Sequence, residues 1–183
     1  MRNYLLISFF IVLYSISNAQ DRTFDSVNMQ AHSYALDLLK NKETDKILIY
    51  KTGCIGCPIL TECKCSSGNI KSFLFWKEAN KSYVLEINCC ETTEKKETDI
   101  GAVWQELETN KEAIYNSKFK GKKKNSHYDF YEVKVISNES SQKIEMSDFY
   151  FDDDNKYHKQ NSRQSARKFQ KLIDVILMSE DQP

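Results

Sequence analysis

The 183-residue chain reads as an α+β fold, an antiparallel sheet of about five strands with three helices on one face and disulfides stapling one end. Three observations predict it. Apolar stripes at helical spacing occur three times. Strand-like runs come in pairs around short polar stretches. Six cysteines gather in and beside the first pair.

The first helix is carried by Phe24, Val27, Ala31, Tyr34, Ala35, Leu38 and Leu39, spaced by threes and fours. The apolar run 46–50, "KILIY", follows as a buried strand. Residues 70–76 and 82–90 flank "KEANK" and form a hairpin whose turn centres near Ala79. In its second arm Tyr83, Leu85, Ile87 and Cys89 share one face, and Val84, Glu86, Asn88 and Cys90 the other. Ile100, Val103, Trp104, Leu107, Ile114 and Tyr115 mark the second helix, capped by Thr98 or Asp99. Residues 128–137 and 143–151 bracket "NESSQ" as a second hairpin. Ala166, Phe169, Leu172, Ile173, Ile176 and Leu177 mark the third helix. Each stripe reads as core-facing surface, the ordinary meaning of an amphipathic helix.

The first nineteen residues have a different logic. Arg2 precedes an apolar run of about 11 residues, Tyr4 to Tyr14, and Ser17 and Ala19 precede Gln20. A short basic start, an apolar stretch and small residues are the layout of a secretory signal. The run is too short to span a bilayer, which takes about 20 residues. Residues 1–19 are therefore expected to be removed, and residues 20–183 to form one secreted or periplasmic domain. That domain holds 25 basic residues against 26 acidic ones, a balance that gives no electrostatic reason to expect nucleic acid or an anionic membrane as partner.

The stretch "GCIGCPILTECKC" (53–65) holds four cysteines, and Cys89 and Cys90 follow. With the turn near Ala79, Cys89 and Cys90 lie opposite residues 69 and 68, beside Cys65. The hairpin thus carries Cys54, Cys57, Cys63, Cys65, Cys89 and Cys90 to one end of the sheet, in the Cys-rich loop 53–66 and beside it. Zinc would need only four thiolates. A redox pair at Cys54 and Cys57 would open a helix, whose N-terminus lowers the first thiol's pKa, yet Pro58 follows and no amphipathic stripe does. An even count in an exported domain reads as disulfides, with Cys89 and Cys90 on opposite faces each bonded into 54–65.

Other motifs are weaker. His32, His127 and His158 stand apart, without nucleophile-elbow or metallopeptidase spacing. A calcium loop beginning at Asp152 would need glycine at its sixth position and glutamate at its twelfth, where Tyr157 and Arg163 stand. Asn80-Lys81-Ser82 and Asn138-Glu139-Ser140 match the short N-glycosylation pattern. Residues 117–127 read as a mobile basic loop, in which Lys120, Lys122, Lys123 and Lys124 could meet an acidic partner. No catalytic residue, metal or cofactor is expected. The chain is expected to be an exported binding protein, inhibitor- or immunity-like, whose partner is another protein. The alternative is a thiol-disulfide oxidoreductase using Cys54 and Cys57.

Overall fold

The computed structural model describes residues 26–41, 43–55, 70–121 and 127–180. Helix α1 covers residues 26–40. Strand β1 (Lys46–Ile55) follows, then β2 (Ile70–Glu78), β3 (Lys81–Asn88) and the two-residue β4 (Lys96–Glu97). Helix α2 (Gly101–Tyr115) precedes β5 (Tyr128–Ser137) and β6 (Ser141–Ser147). A 3-10 turn (Asp148–Tyr150), α3 (His158–Ser162) and α4 (Ser165–Glu180) complete the order.

The six strands form one antiparallel sheet, ordered β4-β3-β2-β1-β5-β6. The α+β class therefore holds, with one strand more than expected. β4 escaped because two polar residues carry no periodicity. It pairs Lys96 with Val84 and Glu97 with Tyr83.

Helices cover both faces of the sheet, which corrects the one-face expectation. Ile47, Leu48, Ile49 and Tyr50 are consecutive and all buried, as are Leu74, Phe75 and Trp76. Successive strand residues point to opposite faces, so an unbroken apolar run requires cover on both. α1 presents Val27, Ala31, Ala35 and Leu38 to Ile47, Ile49, Leu74, Trp76, Leu85 and Ile87. On the other face α2 and α4 pack Val103, Trp104, Phe169 and Ile173 against Leu48, Tyr50, Phe75, Val133 and Met146. Of the third stripe, Ala166, Phe169 and Ile173 are buried, while Leu172, Ile176 and Leu177 are partly covered. Phe24 lies outside the described residues.

Local chemistry moved three boundaries. Strand β6 stops at Ser147, short of the expected 151, because the Phe149 N–H donates to the Asp148 carboxylate at 2.6 Å and the chain turns. Helix α2 has Ile100 at its cap position, with no side-chain cap bond there. Asp99 nevertheless accepts from the Gly101 N–H at 2.9 Å. The first hairpin pairs Glu78 with Lys81 and Trp76 with Tyr83. Its turn is thus Ala79–Asn80, half a position past a centre at Ala79, which moves each cross-strand partner by one residue.

Ala79 has φ 52°, left-handed backbone in which a Cβ costs roughly 1–2 kcal/mol. Ala79→Gly is expected to stabilise the protein by about 0.5–1 kcal/mol, since glycine's added chain entropy offsets part of the gain. Urea unfolding would register a higher midpoint at unchanged slope.

The start of the basic segment is tightly held. The Ser117 hydroxyl donates to the Ala113 carbonyl (2.8 Å) and accepts from the Ala166 N–H (3.1 Å). Asn161, fully buried, accepts from the Lys120 N–H (3.0 Å) and donates to the carbonyls of Lys120 (2.7 Å) and Tyr150 (2.8 Å). Asn155 donates to the Lys120 carbonyl from the other side at 3.1 Å. Gly121, at φ 132°, leaves only 2.5 Å between an added Cβ and the Asn155 amide, so only glycine fits. The expectation of a mobile loop is corrected for residues 117–121. Lys122, Lys123 and Lys124 lie outside the described residues.

Candidate functional site

The cysteine end of the sheet is built by register. Gly53 pairs with Ile70, Cys54 with Asp129 and Ile55 with Tyr128. Lys71 pairs with Asn88, the last residue of β3. The far end of β1, the starts of β2 and β5 and the chain after β3 therefore share one edge, which carries Cys54, Cys89 and Cys90. Cys57, Cys63 and Cys65 lie outside the described residues.

Cys89 and Cys90 are not in a strand, as had been expected, but at the tip of a turn. The Asn88 N–H donates to the Glu91 carbonyl at 3.0 Å. The Asn88 side-chain carbonyl accepts from the N–H groups of Cys90 (2.8 Å) and Glu91 (3.0 Å). This asparagine turn ends the strand by competing for its backbone donors, and the Thr93 N–H closes it onto the Glu86 carbonyl at 2.9 Å. The argument from opposite sheet faces thus fails at these two residues. Cys89 packs against the α1-side core and Cys90 is exposed.

The disulfide staple is not established by the described residues, in which no two cysteines stand at bonding distance from each other. None of the three is a free thiol, however. Cys54 also sits inside a strand that runs on through Ile55. Its environment is therefore not the helix N-terminus that would lower a thiol's pKa.

Two buried polar networks lie between this end and the centre of the sheet. On the α4 side, the Tyr50 hydroxyl donates to Asp174 at 2.7 Å and accepts from the Gln170 amide at 3.2 Å. Gln170 also donates to Asp174 and accepts from Arg167, whose guanidinium lies 4.0 Å from the Phe151 ring centroid. Burial raises the Asp174 carboxyl above the usual carboxylate range, opposed by Tyr50 and Arg167. Burial, with Asp174 beside it, likewise raises the Tyr50 phenol, so Tyr50 serves as a hydrogen-bond donor and not as a base. This network fastens α4 to β1.

On the α1 side, Lys51 is 3% exposed. Its ammonium donates to Glu132 at 2.9 Å and to Asn28 at 2.7 Å. Register aligns it with Ser72 on β2 and Glu132 on β5, and Glu132 with Glu145 on β6. Sequence reasoning missed both networks. A lysine after "KILIY" looks like the end of a strand, when it is the middle of a ten-residue one.

The remaining candidates disperse. Lys118 and Lys120 are exposed, and the Lys120 ammonium stands 5.8 Å from the Tyr157 ring. His158 Nδ1 lies 3.0 Å from the Asn155 carbonyl, while His32 is exposed on α1. Among the described residues no group of three or more His, Cys, Asp or Glu side chains could hold a metal ion. No helix among them is long and apolar enough to cross a membrane. No protein-family model matches the chain, and no similar protein was found among the curated ones.

Proposed function

We propose that the chain is an exported binding protein, inhibitor- or immunity-like, that contacts another protein through a disulfide-pinned segment at the cysteine end of the sheet. One observation carries the reading. Residues 56–69 connect two neighbouring strands at the edge where Cys54, Cys89 and Cys90 also lie, and none of those three is a free thiol. A segment fixed at both ends on a six-stranded sheet and cross-linked there loses less freedom on binding, which lowers the cost of association. Export rests on the signal-like residues 1–19 and is tested by intact mass, which should place the mature start at Gln20.

Peptide mapping under non-reducing conditions tests the cross-links. Cys89 and Cys90 should each be found bonded into 54–65, with no free thiol after denaturation. Cys90→Ser should then liberate one thiol from that segment and lower stability by about 2–5 kcal/mol. A Cys54–Cys57 bond with Cys89 and Cys90 free would replace this reading with the oxidoreductase. Partner capture with the exported protein as bait, compared with the Cys90→Ser form, tests binding itself. Equal capture by both would place the contact surface elsewhere.

A further inference from the structure

We propose that β6 is the contact strand of a homodimer, pairing antiparallel with β6 of a second copy so that the two sheets become one. The inference goes beyond the binding reading and does not depend on the cysteines. β6 (Ser141–Ser147) ends the strand order, with β5 on one side and no strand among the described residues on the other. Such an edge presents unpaired N–H and carbonyl groups, a template for another strand.

The second hairpin fixes which groups face outward. The Ser137 N–H donates to the Ser140 carbonyl at 2.9 Å. Hydrogen-bonded and non-hydrogen-bonded pairs alternate along an antiparallel ladder. Counted from that pair, Gln142, Ile144 and Met146 bond to their β5 partners Val135, Val133 and Tyr131. Ser141, Lys143 and Glu145 therefore turn their N–H and carbonyl groups to the free edge, and all three are exposed. Ile144 and Met146 are held in the core on the α2 and α4 side, which keeps the strand in place.

Charge selects both the occupant and its register. A second copy related by a two-fold axis normal to the sheet brings outward residues opposite outward residues. Centred on Ile144, that axis sets Lys143 opposite the partner's Glu145, and Glu145 opposite the partner's Lys143. Moving the centre to Lys143 or to Glu145 would set that residue opposite its own copy, like charge against like. Within one copy these charges are poorly placed. Register sets Lys143 opposite Lys134 and Glu145 opposite Glu132 on β5, and like charges directly opposite are destabilising. Lys143 instead pairs with Glu145 on its own strand at 2.7 Å and with Glu132 at 3.9 Å. A second β6 supplies opposite charges on the side away from β5. An edge of one sign would repel its own copy, whereas this alternating one attracts it.

Seven residues of edge make a small contact, so the dimer is weak and reversible. Sedimentation equilibrium on the purified protein should show monomer converting to dimer with a dissociation constant below about 1 mM. Lys143→Glu should weaken the dimer about tenfold, because two like-charged pairs replace two opposite ones. Glu145→Lys should do the same, and the double variant, which swaps the charges, should return to within about twofold of the parent. Amide hydrogen exchange on the unaltered protein gives a reading free of any substitution. The Lys143 and Glu145 N–H groups should gain protection as concentration rises, while the Ile144 N–H, bonded to β5, should be protected throughout. A monomer across that range, growth beyond a dimer, or a dimer indifferent to Lys143→Glu would overturn the proposal. So would a double variant that fails to recover, or exchange at Lys143 and Glu145 that ignores concentration.

Discussion

A chain ending at Gln164, without α4, should show no cooperative unfolding transition by circular dichroism. Phe169 and Ile173 are fully buried, and Leu172, Ile176 and Leu177 are partly covered, all against the sheet and α2. Each fully buried side chain of this size is worth about 1.5–3 kcal/mol, against a net domain stability of about 5–15 kcal/mol. Truncation also uncovers Trp104 and Phe75 and leaves the Tyr50 hydroxyl without Asp174 and Gln170. A graded form is Phe169→Ala, expected to cost about 3–5 kcal/mol through lost transfer energy and the cavity left behind. A truncated protein that melts like the parent would remove α4 from the core.

Glu132→Ala is the second large effect, at about 3–5 kcal/mol by chemical denaturation. It takes away the carboxylate 2.9 Å from a lysine that is 3% exposed, and removing one partner of a buried ion pair is what makes such losses severe. Replacing both partners should be far milder. Lys51→Met with Glu132→Leu keeps volume and apolar packing beneath α1, so most of the penalty should disappear. A double variant as unstable as Glu132→Ala would mean that the pair's worth lies elsewhere, in the register it imposes across β1, β5 and β6.

The elements that could be read from the residues are those with a long period. The stripes of α1, α2 and α4 recur over three or more turns, and the buried residues fall where the spacing places them. Both hairpins were legible because polar stretches separate apolar arms. Elements of two to five residues, β4 and α3, offer too little length for a period to register. The turn at Asn88–Glu91 was hidden for another reason. Alternation in "SYVLEINCC" continues through the cysteines, and only the Asn88 side chain, by capturing two backbone donors, ends the strand.

By itself the sequence determined the α+β class, the helical faces, the two hairpins and the placing of Cys54, Cys89 and Cys90 at one end of the sheet. Each depends on neighbours along the chain, whose spacing sets which side chains share a face. The tertiary structure alone decided that helices cover both faces of the sheet. It also decided that Lys51 is buried opposite Glu132, 81 residues away, and that Tyr50 meets Asp174, 124 residues away. A polar residue carries no mark of its partner when that partner lies on another element. Its burial becomes tolerable only once the sheet register and helix packing bring the two within hydrogen-bond reach.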